Sequence, residues 1–520
     1  MTVGRSAGSP WLVPALGVAA WLSFSAGLRP LALPDEGRYV GVAWEMLRSG
    51  QWLVPTLDGL PFFHKPPLFY WITAASLSLL GLGAWPARLA SMLGAAVTVL
   101  ALYALLRRWS DARIARWAVV ILATQPLLFG AAQFANLDML VAGCITATIA
   151  LVAHAALCLD SGQPAPRWAL PAAYAAAALG VLAKGLVGAL LPAVIVATWL
   201  VLARRTRLIA PLLSLPGALL FAAIALPWFV AMSERFDGFL HSFFVYHHFQ
   251  RFTQSGFNNE QPFWFYLPVI ALLTLPWSAA LPALWKAPPP PDGPRRLLRG
   301  LMWVWAIGIV AFFSAPRSKL VGYVLPALPA LAALIAEAVW SRSGDAARTA
   351  RRLRGVAALA AVACVAAIVA IALHDKQSTE SLGRVLRERR ASDDPVFFVG
   401  DYFYDLPLHA RLAQPVYVVE AWHAPDIAAR DNWRRELAEA ARFAGAPAQQ
   451  SLVDRADFAH AVCAHPVSWV VASARTAAQQ PLLWQEAPLT SSQRASLWRI
   501  DAQRCASMPP SRVARTPSAG

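Results

Sequence analysis

The chain has 520 residues, of which 58% are hydrophobic and only 14% charged, whereas soluble globular proteins carry about 25% charged residues. That composition excludes an ordinary soluble domain. The formal net charge of +16 does not restore a nucleic-acid reading, because the basic residues gather in short loops between apolar runs. Arg107, Arg108, Arg113 and Arg116 form one cluster, Arg204, Arg205 and Arg207 another, and 286–299 and 342–354 supply two more. Loops of this kind mark the cytoplasmic side of a polytopic membrane protein.

Taken in chain order, a first apolar run at 11–33 follows a single early arginine and reads as an anchor helix rather than a cleaved signal. The segment 35–50 predicts an amphipathic helix lying on the membrane, with Val40, Ala43, Met46 and Leu47 on one face. Asp35 is placed to cap it and Glu36 to sit in its first turn. The piece at 66–82 is short and aromatic at its start, so it reads as re-entrant or interfacial, with the rings of 62–71 as membrane anchors. Further spans are predicted at 86–106, 117–135, 139–159, 168–183, 185–203, 208–232, 264–285, 300–314, 319–340 and 354–373. The expected total is about 11 to 13 spans, an odd number, which keeps every basic loop inside and opens the first loop and the tail to the outside. Many of the 22 tryptophans flank these runs, as interfacial anchors do.

Composition changes near His374. "DPVFFVG" and "PVYVVEA" read as short buried strands and 431–443 as a helix. The expected organisation is therefore a membrane domain, 1–374, and an extracytoplasmic α/β domain, 375–520. Cys144, Cys158 and Cys364 fall in apolar runs as small buried hydrophobes, while Cys463 and Cys505 can pair if the tail is extracytoplasmic.

The ionisable residues at the outer ends of the spans carry the chemistry. Asp35, Glu36 and Arg38 follow the first span, Asp138 lies in "FANLDML", and Lys184 marks the turn within "ALGVLAKGLVGALLP". His64 and Lys65 precede two prolines, Arg251 lies in "YHHFQRF", and Arg317 and Lys319 lie in "SAPRSKLVGY". Each has a plain structural explanation alone: capping for Asp35 and Asp138, snorkelling for Lys184, an interfacial position for His247 and His248. Charges near hydrocarbon are costly unless paired or functional. Their coincidence on the outer side points to one cavity for an anionic substrate, in which cations neutralise phosphate and a carboxylate orients or deprotonates the attacking group. No Gly-rich nucleotide loop follows a strand. The middles of 209–230 and 300–313 carry no charge, which argues against a transporter with a midplane site.

The stretch "PDEGRYVGVAWEML", whose D-E-x-R-Y is followed about 25 residues later by "KPPLFYW", resembles the opening of the lipid-linked-sugar glycosyltransferases of the aminoarabinose transferase and protein mannosyltransferase group. "NLDML", "LAKGLVG", "HHFQRF", "QPFWFYLPV" and "SKLVGYVLPALP" extend the resemblance to about Trp340. It implies the GT-C architecture: an all-α polytopic membrane protein with first-loop interfacial helices and a terminal extracytoplasmic domain. By matching position, Asp35 resembles the essential first-loop carboxylate and Asp138 the second acidic site, while Glu36 is grouped with the substrate contacts. Arg38, Lys65, Lys184, Arg251 and Lys319 resemble the cationic lining for donor and acceptor phosphates, with Tyr323 beside it. Two departures stand out: His64 replaces the glutamate usual before Lys-Pro-Pro, and Tyr246-His247-His248 replaces a His-Glu-His pattern. A divalent metal such as zinc would therefore lose or exchange ligands here, with His64 and His248 as candidates.

The resemblance implies a glycosyltransferase of the bacterial inner membrane, active on the periplasmic side. Its donor would be a polyprenyl-phosphate-linked sugar, with 4-amino-4-deoxy-L-arabinose or another amino sugar favoured. The acceptor would be lipid A phosphate or another envelope component, with inversion at the anomeric carbon. A protein O-mannosyltransferase-like enzyme acting on Ser/Thr hydroxyls and, further off, a lipid-linked-sugar transporter are the alternatives. Membrane lipids are expected partners and nucleic acid is not.

Overall fold

The computed structural model describes residues 12–244, 259–290, 293–374, 377–445, 449–484 and 487–507. The chain divides into two compact units: one comprises 1–31, 42–55 and 62–374, the other 32–41, 56–61 and 375–520.

The first unit is helical. Every apolar run that predicts a span contains helix, but not every run is one long helix. Among the described residues six helices are long and apolar enough to cross a membrane, or eight if each of two bent pairs is one span. This is fewer than the 11 to 13 expected, and the reason is local. The 117–135 run breaks into Ala112–Ala123 and Pro126–Ala132 with a 64° bend, and 264–285 breaks into Tyr266–Leu273 and Trp277–Lys286 with a 112° bend. Pro126 has no amide hydrogen and begins a new helix, as proline does. Leu68–Leu80, Ala169–Lys184 and Val187–Leu202 are apolar but shorter than 18 residues.

Small residues set the helix packing. The long helices Leu89–Trp109 and Leu137–Asp160 meet at Gly94 and Gly143, where a Cβ on either glycine would strike the other helix's backbone. Gly180 and Gly188 make the same close approach between Ala169–Lys184 and Val187–Leu202. Such contacts allow dispersion and close backbone packing where no hydrophobic driving force separates helix from lipid. At the opposite, basic ends, Arg205 pairs with Asp160 at 2.7 Å and Arg299 approaches Glu337 at 3.9 Å.

The aromatic residues depart from expectation. Phe62, Phe63 and Phe69, expected as membrane anchors, are buried inside the unit, as is Tyr70. Several tryptophans likewise turn inward and use the indole N–H as a tie between segments. Trp21 donates to Ala123 O at 2.8 Å, Trp199 to Leu297 O at 2.9 Å and Trp228 to Leu53 O at 2.9 Å. A ring with one polar atom serves a helix junction as well as a membrane surface.

The second unit is an α/β fold. A hairpin of Thr56–Leu57 (β1) and Leu60–Pro61 (β2) turns through Asp58 and Gly59, both at positive φ, as an Asp-Gly two-residue turn requires. Asp58 Oδ1 accepts from the Val416 amide at 2.8 Å. The main sheet contains Val396–Val399 (β3), Tyr417–Glu420 (β4), Leu452–Asp454 (β5), Val467–Ala472 (β6), Thr490–Ser491 (β7) and Ser496–Asp501 (β8), in the order β5-β4-β3-β6-β8-β7. β5, β4, β3 and β6 run parallel and β8 and β7 close the edge antiparallel. The central strands are nearly continuous apolar runs because both faces are covered. The predicted helix appears as Trp433–Ala441, and Cys463 is disulfide-bonded to Cys505.

Assigning 32–41 and 56–61 to this unit differs from a simple division at 374. The polar first-loop segments make their contacts with tail residues: Gly37 lies against Tyr404 and Asp405, and Gly59 against Pro415.

Candidate active site

In the first unit the site begins at the helix Leu137–Asp160. Asn136 is its cap, with the side-chain oxygen accepting from the Asp138 amide at 3.0 Å. Asp138 is thereby spared the capping role that could have explained it. Its carboxylate instead accepts from Lys184. Lys184 is the last residue of Ala169–Lys184, where a cation complements the helix dipole, and Gly185 at φ +87° stops the helix immediately afterwards. The Lys184 ammonium also lies 4.1 Å from the centre of the Tyr323 ring, a cation–π contact.

These groups open on a cavity of about 130 Å³ lined by Lys65, Asp138, Lys184 and Tyr323, with Val141, Ile145, Phe312 and Phe313 as apolar walls. Low-polarity walls strengthen each charge interaction relative to water. Gly322 belongs to the same lining and packs directly on the Asp138 side chain. Neither Gly322 nor the Phe312–Phe313 wall was distinguishable in the sequence, although "SKLVGYVLPALP" contains the glycine. A larger apolar cavity of about 450 Å³, with Thr148 and Tyr174 among its few polar side chains, opens between the helices that carry Asp138 and Lys184 and their neighbours.

Lys319 is placed differently from expectation. It is 3% exposed, and its ammonium donates to the Gln261 carbonyl at 2.8 Å and to the Pro316 carbonyl. Its backbone amide donates to Asn259 O at 3.0 Å. Lys319 thus ties together the loop whose Pro316 and Ser318 line the cavity.

In the second unit the helix Asp35–Ser49 begins at Asp35, which sits in the first turn rather than at the cap. The Glu36 carboxylate is buried and accepts from the Ala32 amide at 2.7 Å, so it braces the helix start. Arg38 is held between two carboxylates, Asp35 one turn away and Glu436 on Trp433–Ala441. The other Glu436 oxygen accepts from the Tyr404 hydroxyl at 2.8 Å. Burial opposes charge on Arg38, but Glu436, with smaller contributions from Tyr39, Tyr404 and Asp35, outweighs it and holds the guanidinium above its ordinary value. Burial and Glu436 push the Tyr404 phenol well above its ordinary value, so it stays a hydrogen-bond donor.

His64 stacks on Phe62 with ring centres 4.5 Å apart. Arg251 and His248 lie outside the described residues. Among the described residues no group of three or more His, Cys, Asp or Glu side chains is arranged to hold a metal.

A family model described as dolichyl-phosphate-mannose-protein mannosyltransferase matches residues 64–230. The undecaprenyl phosphate-alpha-4-amino-4-deoxy-L-arabinose arabinosyl transferase 2 of Pseudomonas fluorescens is 31% identical over 340 residues, covering 63% of this chain and 56% of that protein. The corresponding transferase of Erwinia tasmaniensis is 33% identical over 305 residues, covering 58% and 54%. The chain thus spans somewhat more than half the length of these relatives. The crystal structure of ArnT from Cupriavidus metallidurans bound to undecaprenyl phosphate superposes with a TM-score of 0.80 at 26% identity, covering 95% of this chain and 98% of that one. An archaeal oligosaccharyltransferase from Archaeoglobus fulgidus shares the fold at a TM-score of 0.53 and 14% identity.

Proposed function

We propose that this chain, which belongs to the GT-C membrane glycosyltransferases of the aminoarabinose transferase type, moves 4-amino-4-deoxy-L-arabinose from undecaprenyl phosphate to lipid A at the periplasmic face of the bacterial inner membrane. The observation that carries this reading is the Asp138–Lys184 pair beside Lys65 and Tyr323 in an apolar-walled cavity. A cavity of that kind suits a phosphate: Lys184 and Lys65 supply charge, and Asp138 keeps the Lys184 ammonium directed at the end of its helix. The apolar cavity beside these helices suits a stretch of lipid chain.

In the reaction an acceptor oxygen bonds to the anomeric carbon as the bond from that carbon to the donor phosphate oxygen breaks. Undecaprenyl phosphate leaves, and configuration inverts. The lysines stabilise the negative charge that grows on the departing phosphate. A lipid A phosphate is already anionic near neutral pH and needs no base, so the Asp35 carboxylate acts by stabilising positive charge on the sugar ring.

The family-model match over 64–230 favours one second reading, transfer to a protein hydroxyl. Asp35 would then accept the hydroxyl proton. Expression of wild-type chain, Asp35→Asn and Asp138→Asn in bacteria lacking their own aminoarabinose transferase separates these readings by mass spectrometry of lipid A and of envelope proteins. An added pentosamine mass on lipid A, lost in both variants while membrane insertion persists, is the expected result. Full activity of Asp35→Asn rejects the role given to that residue, and a hexose on protein with unmodified lipid A rejects the favoured acceptor.

A further inference from the structure

We infer that Glu436 is a positioning residue for transfer: through Arg38 it fixes the orientation of the Asp35 carboxylate. The inference rests on the role proposed for Asp35 and adds a residue from the C-terminal part of the chain.

Four side chains form a line from interior to surface. The Tyr404 hydroxyl donates to Glu436 Oε2 at 2.8 Å, Arg38 Nη1 donates to Glu436 Oε1, and Arg38 Nη2 donates to Asp35 Oδ1 at 2.5 Å. Tyr404 is 4% exposed; the side chains of Glu436, Arg38 and Asp35 are 8%, 19% and 38% exposed. The anchored end is inside and the exposed end is Asp35. An Asp–Arg pair spaced i,i+3 on an open helix is weak and leaves a long arginine free to reorient. Here Glu436 occupies one arm of the guanidinium fork, and the planar geometry of that group then sets where the other arm points.

Charge follows the same order. Two carboxylates share one guanidinium, and Asp35 is the more exposed of the two. Tyr404, held protonated, satisfies the second oxygen of Glu436 and stops that carboxylate from rotating. Backbone packing fixes the frame: a Cβ on Gly37 would sit 2.9 Å from Tyr404 Cβ and 3.2 Å from the Asp405 amide nitrogen. The first turn of the helix is therefore seated on the 404–405 segment. A working carboxylate at a helix start needs such support, because a misplacement of about 1 Å costs on the order of 100-fold in rate.

The test uses the full chain in lipid nanodiscs, with undecaprenyl-phosphate-linked 4-amino-4-deoxy-L-arabinose as donor and lipid A as acceptor. Glu436→Ala is expected to lower kcat roughly 10- to 100-fold with the donor KM unchanged, measured well below the melting temperature of the variant. Adding it to Arg38→Ala is expected to cause no further loss, since both act through one path. Glu436→Gln, which keeps one acceptor oxygen for Arg38 but loses the charge and the second acceptor, is expected to fall between Glu436→Ala and wild type, and it stands in if the alanine variant does not fold. Wild-type kcat in Glu436→Ala, or in Glu436→Gln when that variant stands in, overturns the positioning role while an inactive Asp35→Asn leaves the proposed function intact. A loss carried only by KM or by melting temperature also overturns it, as a purely structural contact. Wild-type turnover in Asp35→Asn removes the role of Asp35 and this inference with it.

Discussion

Gly322→Ala is the smallest change that reaches the cavity. A Cβ at this position falls 3.0 Å from Asp138 Cγ and 3.1 Å from Asp138 Cβ, and closer still to Oδ2. Carbon atoms rest about 3.5–4.0 Å apart, so the Asp138 side chain must retreat by roughly 0.5–1 Å. Overpacking of this size costs about 1–3 kcal/mol of stability. The larger effect falls on activity, because the carboxylate that moves is the one holding Lys184. Displacing a positioned group by about 1 Å lowers turnover on the order of 100-fold. Gly308, inside the helix Pro294–Ser314, is the control. A Cβ there meets Ile195 Cγ1 at 3.5 Å, an ordinary contact, and alanine in a helix gains up to about 1 kcal/mol. Purified Gly322→Ala and Gly308→Ala are to be compared by the rate of the proposed transfer to lipid A and by melting temperature. If Gly322→Ala works within twofold of wild type, the Asp138–Lys184 geometry does not govern the reaction.

Lys184→Met keeps most of the side-chain volume but leaves the Asp138 carboxylate without its ammonium, which typically costs about 3–5 kcal/mol for a broken buried pair. Undecaprenyl phosphate binding, followed by calorimetry in nanodiscs, is expected to weaken at least tenfold, on the order of one lost charge-assisted contact. Cys463→Ser removes a cross-link between residues 42 apart, a change of about 2–4 kcal/mol; the melting temperature of the C-terminal unit should drop and become insensitive to reductant. Tyr404 gives a pH signature. Its folded-state pKa lies above the unfolded value of about 10, so its contribution is complete below that pH and declines as pH rises toward the folded value. Tyr404→Phe should flatten the alkaline side of a stability profile measured by urea unfolding, and an unchanged alkaline slope would count against the buried phenol.

The sequence reading succeeded where the physical signal is local. Apolar runs of about 20 residues report hydrocarbon depth; Lys184 is conspicuous because it interrupts such a run, and Asp138 because it lies at the turn between two of them. The bends near Thr124–Gln125 and Thr274–Pro276 were hidden because the two halves of each pair have the same apolar composition. Aromatic residues were misplaced because a ring beside an apolar run suits a membrane surface and a helix junction equally. Arg38 and Glu436 are 398 residues apart, and nothing local in "NWRRELAEA" distinguishes Glu436 from a solvated helix charge. Gly322 escaped notice for the opposite reason: its role depends on a side chain it lacks. Glu36 and Lys319 were expected at the substrate from their neighbours in the chain, while their hydrogen bonds go to backbone groups.

The unit that includes 375–520 also contains 32–41 and 56–61, so its parts are made at widely separated moments of synthesis. The early pieces must wait outside, unsupported, while more than 300 intervening residues are threaded into the bilayer. A tail expressed alone would therefore be missing Arg38, one of the partners of Glu436, and the hairpin that receives the Val416 amide. Chimeras that exchange tails between relatives should carry the matching first-loop segments with them, since the two stretches form a single module despite their distance along the gene.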